Sequence, residues 1–223
     1  PTRHRDVVGR PGSNRVEPGP SVGIMRTPTE DHILVLDLGS QYSLLIVKTL
    51  RKKGVLAVLL PFSTPPPTIL SQYTRGVILS GGPASAADPP ELDPRWFDVP
   101  VPVLGICLGL QLMADHYGGK VVHNSKGEYG TADLHWIFSA AVLTLNIPPR
   151  ITRVWMSHAD SVAELPPGWV RLASTPSCPI AACGSADRQR LGVQFHPEVK
   201  HSEFGDQFLG NWATEVCRVA ADW

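Results

Sequence analysis

The chain has 223 residues, 43% of them hydrophobic, and its 20 Lys and Arg residues balance its 20 Asp and Glu residues. This length supports one well-buried domain or at most two small ones, and a net charge of zero gives no electrostatic reason to expect nucleic acid or an anionic membrane as a partner. Four cysteines are too few for a disulfide-stapled secreted domain, and the apolar runs are far shorter than the roughly 20 residues that span a bilayer, so we expect a soluble, cytoplasmic protein.

Residues 1–30 are rich in Pro, Gly, Arg and Thr and contain no apolar run with helical or strand periodicity. Such a segment buries too little surface to offset the entropy lost on ordering, so we expect a flexible tail. Its arginines leave an organelle transit segment as an alternative. We expect the folded domain to cover residues 31–223.

The first half of this domain alternates short apolar runs with amphipathic stretches. Residues 33–38 predict a strand, 42–53 a helix and 55–60 a strand, which is the βαβ order of a parallel sheet. The runs 76–80 and 101–106 are continuously apolar, as strands are when helices cover both faces of a sheet. We therefore expect these two strands to be central.

The second half loses the helical pattern and shows short apolar runs between turn residues, which indicates antiparallel strands. The predicted strands are residues 120–123, 141–145, 152–156, 170–173 and 191–195. A final amphipathic helix over about residues 203–220 would pack one face against the sheet, with Phe204, Phe208, Trp212 and Val216. The sequence thus predicts an α/β fold with a mostly parallel central sheet, helices on both faces and a smaller antiparallel sheet.

The clearest chemical signal is the segment Gly105-Ile-Cys-Leu-Gly109, which follows an apolar strand and opens a helix. So tight a turn requires small flanking residues and presents its middle side chain at the C-terminal edge of the sheet, where open α/β sheets bind ligands. A cysteine at a helix N-terminus is favoured in its nucleophilic thiolate form. Cys107 is therefore the candidate nucleophile, with an inert core cysteine as the alternative.

A second signal follows the predicted strand 191–195, where the chain reads His196-Pro-Glu198. A cysteine nucleophile needs a base, and the base needs a group that holds its tautomer and stabilises the imidazolium. Spacing by two in extended backbone places both side chains on one side, and the proline fixes the intervening φ. His196 is the candidate base and Glu198 the candidate orienting group, although such a pair taken alone is more often structural.

A third signal is the glycine pair Gly81-Gly82, directly after the predicted central strand 76–80. A tetrahedral intermediate on Cys107 would need donors for its oxyanion, and backbone N–H groups in a glycine turn can approach closely. The amides of Gly82 and Leu108 are the candidates, with a plain tight turn as the alternative. No Gly-Lys-Ser/Thr follows, which excludes a Walker-type phosphate loop.

Together and in this order, these motifs resemble the class I (triad) glutamine amidotransferases, and in particular the glutaminase domains of GMP synthetases. The resemblance extends from residue 32 to the C-terminus. The segments that carry it are 36–42 (LDLGSQY), 80–83 (SGGP), 105–111 (GICLGLQ), 128–130 (EYG), 154–160 (VWMSHAD), 177–182 (SCPIAA) and 192–199 (GVQFHPEV). It implies a flavodoxin-like fold and a glutamyl thioester on Cys107, with ammonia release assisted by His196 and Glu198.

The resemblance also implies substrate-binding residues. Gln111 would contact glutamine, and its position four residues after Cys107 puts both on one helix face. Ser157, His158 and Asp160 fall where the family binds the α-amino and α-carboxylate groups. We expect no metal and no cofactor in this chain.

The resemblance further implies a protein partner. The chain lacks the Ser-Gly-Gly-x-Asp-Ser pyrophosphate loop of the synthetase half. Ammonia would therefore pass to an ATP-pyrophosphatase synthetase domain or subunit, which would use ATP and Mg²⁺ to make GMP from XMP.

Three alternatives remain. The chain could serve another acceptor, or act as a stand-alone γ-glutamyl hydrolase. It could also be a non-catalytic regulatory module, since Gly127 and Ala159 depart from the family pattern. A zinc site at Cys178 and Cys183 is not expected, because no second pair has zinc-like spacing.

Overall fold

The computed structural model describes residues 28–137 and 151–223. The strands in this part of the chain are β1 (His32–Asp37), β2 (Ala57–Pro61), β3 (Thr74–Leu79), β4 (Val103–Ile106), β5 (Lys120–Trp136), β6 (Ile151–Glu164), β7 (Trp169–Ser174), β8 (Ala182–Ser185) and β9 (Arg190–Val193). The helices are α1 (Ser43–Lys52), α2 (Leu108–His116) and α3 (Gly205–Asn211), and a π-helical turn (Trp212–Val216) continues α3. None of the helices in the two described ranges is long and apolar enough to cross a membrane.

The strands form one mixed sheet with the order β2-β1-β3-β4-β9-β8-β7-β5-β6. The first five strands of this order are parallel, and β3 and β4 lie inside the parallel part, which confirms the predicted α/β fold with two central apolar strands. The remaining strands pair antiparallel. The prediction of a separate smaller sheet is wrong, because β9 pairs parallel with β4 on one edge and antiparallel with β8 on the other.

Three strands differ clearly from the sequence prediction, and one of them, β6 (Ile151–Glu164), runs well past the predicted range 152–156. The run 120–123 is only the beginning of β5, which pairs with β6 on both sides of an irregularity between His123 and Glu128. The short strand β8 was missed because Ala, Cys, Gly and Ser carry little strand preference, and pairing with two neighbours supplies what the local sequence lacks. The predicted strand 141–145 and most of the predicted tail lie outside the described residues.

Helices cover both faces of the sheet, as predicted. On one face, α1 and α3 pack over strand residues such as Ile33 and Ile78, with Phe208 and Trp212 fully buried in the same cluster. On the other face, α2 and the 3-10 turn Pro94–Trp96 cover a second cluster. Each such fully buried aliphatic side chain contributes about 1.5–3 kcal/mol, so the parallel strands form a rigid platform for their C-terminal edge.

The prediction that Phe204 packs in the core is wrong. Phe204 is 37% exposed, because it lies just ahead of α3 in a left-handed conformation with φ 58°. Its side chain therefore does not share the buried face on which Phe208 and Trp212 lie, while Val216 is only partly buried.

Candidate active site

Cys107 occupies a strained turn between β4 and α2. Its φ of 52° and ψ of −107° lie in a region that residues other than glycine rarely adopt. The turn is held from both sides: the N–H of Cys107 donates to the carbonyl of Val193 at 2.8 Å, and its carbonyl accepts from the N–H of Gln111 at 3.1 Å. The predicted elbow is present, and it places the sulfur at the C-terminal edge of the sheet.

The two glycines that flank Cys107 allow the close approach of α2 to the sheet. A Cβ on Gly105 would lie 2.6 Å from backbone atoms of Gly109 and Leu110. A Cβ on Gly109 would overlap the carbonyl oxygen of Leu79 and lie 2.8 Å from its Cβ. Backbone atoms cannot yield as a flexible side chain can, so both positions require glycine.

His196 follows β9, the strand that pairs with β4, and therefore lies beside Cys107. Its Nδ1 donates to Oε1 of Glu198 at 2.8 Å, and the two side chains are 5% and 0% exposed. Its backbone is fixed by Trp155, whose carbonyl accepts from the His196 N–H at 3.0 Å, and by the Ser202 hydroxyl, which donates to the His196 carbonyl at 2.5 Å. With Nδ1 engaged, Nε2 is the ring nitrogen left to exchange a proton with Cys107, which lines the same space as His196.

The surroundings of His196 favour its charged form. Burial lowers its pKa, but hydrogen bonds with Cys107 and Glu198 outweigh burial and raise the pKa to about 10. The ring is therefore an imidazolium at neutral pH. In this position it can balance negative charge on sulfur and deliver a proton to a departing amine.

Replacing Glu198 by Gln should lower the pKa of His196, because a neutral amide cannot balance the imidazolium charge. In the unsubstituted protein the ring should stay charged over roughly pH 5 to 8, whereas in Glu198→Gln it should titrate within that range. Since the folded-state pKa is raised above 6.5, the stability that the charged ring contributes is complete below pH 6.5 and is lost as the pH rises through about 10. NMR titration of the ring checks this, and identical curves for both proteins would contradict it.

Gly82 and Leu108, whose amides are the predicted oxyanion donors, line the same space as Cys107. A Cβ on Gly82 would overlap the carbonyl oxygen of Leu38 and lie 2.9 Å from Cδ2 of Leu108, so the turn is closely packed. Leu108 is the first residue of α2, and its N–H has no acceptor within the helix. Within residues 28–137 and 151–223, neither amide donates to a backbone carbonyl in a turn or cap. The role of these two amides as oxyanion donors stays a prediction.

Serine hydroxyls hold this glycine turn, a role that was not predicted from the sequence. The Ser80 hydroxyl accepts from the N–H of Leu38 at 2.9 Å and donates to the carbonyl of Gly81 at 2.8 Å. The Ser43 hydroxyl lies 3.0 Å from Ser80 Oγ and 2.8 Å from Asp37 Oδ1. Hydrogen bonds of Ser80 thus connect the motif 36–42 to the motif 80–83. The sequence signal for this contact was a serine directly ahead of a glycine pair.

A cleft of about 380 Å³ opens over the sulfur. Of the predicted site residues, all but His196 and Glu198 line this cleft. They are Gly82, Cys107, Leu108, Gln111, Ser157, His158 and Asp160. An adjoining space of about 240 Å³ shares Cys107 with this cleft and contains His196. Glu198 lies behind His196 and lines neither space.

The predicted substrate-binding residues meet at the main chain of Asp160. Its carbonyl accepts from Nε2 of Gln111 at 2.7 Å and from Nδ1 of His158 at 2.9 Å. The Asp160 carboxylate is already paired with Nδ1 of His123 at 2.7 Å. Ser157 lies nearest the nucleophile, with its carbonyl oxygen 3.8 Å from the sulfur. Most polar groups of the cleft wall are therefore hydrogen-bonded to other residues of the same wall.

Glu128 is a half-buried anchor for His158 that the sequence analysis did not assign. Its carboxylate accepts from the hydroxyls of Thr175 at 2.8 Å and Ser177 at 2.6 Å, and from Nε2 of His158 at 3.3 Å. Burial raises the pKa of Glu128, but these hydrogen bonds outweigh it and hold the pKa below its ordinary value. Nδ1 of His158 thus faces the carbonyl of Asp160 and Nε2 faces the carboxylate of Glu128, and these two contacts fix the orientation of the ring.

The two departures from the family pattern fit this structure. Ala159 lies within β6 and is not among the residues with positive φ, so alanine is an ordinary strand residue there. Gly127 has φ 59°, and a Cβ there would overlap the ring of Tyr129 and lie 2.9 Å from the carbonyl oxygen of His158. Glycine is thus required by the irregularity in β5.

The ligand atoms of Glu128, His158 and Cys178 lie within 4.8 Å of one another. The Cys178 thiol donates to the carbonyl of Ile180 at 3.5 Å, and burial together with nearby Glu128 raises its pKa to about 12. A protonated thiol is a poor metal ligand, and hydroxyls already bind the carboxylate. Cys183 is also a buried free thiol. The expectation that this chain holds no metal stays a prediction.

Comparison with known proteins gives a consistent result. The family model for class-I glutamine amidotransferases matches residues 34–216. The chain is 43% identical to a glutamine-hydrolyzing GMP synthase of Listeria innocua, over 90% of this chain and 39% of that protein. It is 46% identical to one of Campylobacter jejuni, over 86% of this chain and 37% of that protein. It therefore spans less than two fifths of the length of these relatives.

Among solved structures, a Thermoplasma acidophilum protein, described provisionally as one of the subunits of a GMP synthase, is 27% identical, with a TM-score of 0.75. The similarity covers 85% of this chain and 94% of that one. The motifs, the elbow and the family match agree, and this chain belongs to the class-I glutamine amidotransferases.

Proposed function

We propose that this chain hydrolyses glutamine with Cys107, His196 and Glu198 as its catalytic residues. The observation that carries the proposal is the strained cysteine at the elbow, beside a histidine whose Nδ1 contacts a buried carboxylate. The Cys107 thiolate attacks the carboxamide carbon, and the His196 imidazolium protonates the leaving nitrogen, so that ammonia departs and a thioester remains. Water then attacks the thioester while His196 accepts its proton, which releases glutamate and restores the thiolate and the imidazolium.

The amides of Gly82 and Leu108 donate to the substrate oxygen when it becomes negative in each tetrahedral intermediate. Their position beside the sulfur supports this role. The cleft wall formed by Gln111, Ser157 and His158, with Asp160, holds the amino-acid end of glutamine.

We further propose that the ammonia passes to an ATP-pyrophosphatase synthetase domain or subunit that makes GMP from XMP. Support comes from the relatives named as glutamine-hydrolyzing GMP synthases, which match most of this chain. ATP and Mg²⁺ act at the synthetase, and the glutaminase part needs no cofactor. We place the protein in the cytoplasm, in keeping with four free thiols.

The test is ammonia release from glutamine by this chain alone and with a GMP synthetase ATP-pyrophosphatase subunit, XMP, ATP and Mg²⁺. We expect slow release by the chain alone, a rise of at least about tenfold with the complete mixture, and formation of GMP. Fast release that the synthetase does not change would instead indicate a stand-alone hydrolase. No release under either condition would indicate a non-catalytic module.

A further inference from the structure

Gln194 is a buried polar residue that the catalytic proposal does not use. It follows β9 directly, is 0% exposed, and its N–H donates to the carbonyl of Ala181 at 2.8 Å. Its side-chain Oε1 lies 3.2 Å from Nε2 of Gln111. Its own Nε2 is buried and has no hydrogen-bond partner among the described residues. An unpaired buried donor costs free energy, so packing alone does not account for a glutamine at this position.

The contacts of Gln111 fix which end of its amide faces the cleft. Its Nε2 lies 2.7 Å from the carbonyl oxygen of Asp160, and a carbonyl can only accept, so the NH₂ end must point there. The second hydrogen of the same NH₂ group points to Oε1 of Gln194. Both hydrogens are thereby used. Because Gln111 lines the cleft, its Oε1 is the polar atom of the amide left for a ligand.

We infer that Gln194 is a positioning residue that locks the Gln111 amide with its acceptor oxygen toward the substrate. A single bond to Asp160 would leave the amide free to pivot about that bond, whereas the second bond fixes its plane. The inference rests on the proposed function, in which glutamine occupies the cleft.

A fixed acceptor selects a hydrogen-bond donor on the ligand. Gln111 lies four residues after Cys107 on α2, roughly 6 Å further along the helix axis. The carboxamide of glutamine must contact the sulfur, so the donor that meets Gln111 is the ammonium group at the other end of the substrate. Gln194 therefore acts through Gln111 on recognition of the α-ammonium group.

A purely structural role makes a different prediction. Gln194 stands two residues before His196, and a substitution that displaced His196 would slow every substrate. A substitution that only releases Gln111 would slow the substrates that carry an α-ammonium group. Two substrates that differ in this group therefore separate the two roles.

The experiment compares Gln194→Met with the unsubstituted chain. Methionine has a similar length but no acceptor oxygen. The substrates are glutamine and its analogue without the α-amino group, which keeps the carboxamide and the carboxylate. We expect kcat/KM for glutamine to fall about tenfold, mainly through KM, and kcat/KM for the analogue to change less than about twofold. Gln189→Met, at an exposed position just before β9, is the control and should change neither. Equal losses on both substrates, or no loss on glutamine, would overturn the inference.

A second measurement does not depend on turnover. In the protein without ligand, the side-chain amide hydrogens of Gln111 should exchange with water at least about tenfold more slowly than those of Gln189, and Gln194→Met should abolish most of this protection. Rapid exchange at Gln111 in the unsubstituted protein would overturn the inference even if glutamine is hydrolysed. Protection of Gln111 in a protein that hydrolyses no glutamine would uphold the positioning role and reject the proposed function.

Discussion

Cys107→Ala should abolish glutamine hydrolysis and leave the fold almost unchanged. Loss of a cysteine or serine nucleophile lowers kcat by a factor on the order of 10⁶, because no other group can form the covalent intermediate. The side chain lines the cleft, so removing one sulfur atom enlarges an existing space and does not open a new cavity in the core. Ammonia release and the thermal unfolding midpoint measure the two effects separately.

The matched control is Cys183→Ala, which removes a buried thiol in β8 that does not line the cleft. It should retain hydrolysis. Glu198→Ala should lower kcat by a smaller factor than Cys107→Ala, on the order of 10⁴, because an orienting group contributes less than the nucleophile. Full activity in Cys107→Ala would show that the assigned nucleophile is wrong.

Gly105→Ala should cause a large loss of stability at the elbow. The new Cβ would lie 2.6 Å from backbone atoms of Gly109 and Leu110, so α2 would have to move away from β4. Overpacking of this kind costs about 3 kcal/mol in the free energy of unfolding. Because the same movement displaces Cys107, hydrolysis should fall as well. Urea denaturation and ammonia release measure the two losses.

Gly210→Ala is the control for adding a methyl group. A Cβ there would meet only side-chain atoms of Lys53, the nearest at 3.4 Å, and the residue lies within α3. Alanine in a helix interior is favourable by up to about 1 kcal/mol relative to glycine, so this variant should be as stable as the original or more so. Equal stability of Gly105→Ala and Gly210→Ala would refute the close packing of α2 on the sheet.

Local sequence was sufficient to predict the features that depend on neighbouring residues. Apolar runs of strand length gave the parallel half of the sheet, and the Gly-x-Cys-x-Gly pattern gave the elbow, because both depend on backbone conformation within a few residues. The proximity of His196 to Glu198 was predictable for the same reason. Their closeness to Cys107 was not a local property, since it requires β9 to pair with β4.

The contacts that fix the cleft wall could not be predicted in this way. Glu128 accepts hydrogen bonds from hydroxyls of a distant loop, and the carboxylate of Asp160 pairs with His123. Such contacts arise from tertiary packing between residues far apart in the chain, and the periodicity of the sequence does not predict them. The hydrogen bond between Gln111 and Gln194 belongs to the same class, although both residues stand in motifs that the sequence analysis identified.

The central claim is that Cys107 is an activated nucleophile facing a glutamine site. The most direct measurement is reaction of the folded protein with a glutamine analogue that carries a diazoketone in place of the carboxamide, followed by mass spectrometry of peptides. We predict one adduct, on Cys107, with excess glutamine slowing its formation, and no adduct on the buried thiols Cys178, Cys183 and Cys217. An unmodified Cys107 in the folded protein would contradict the account.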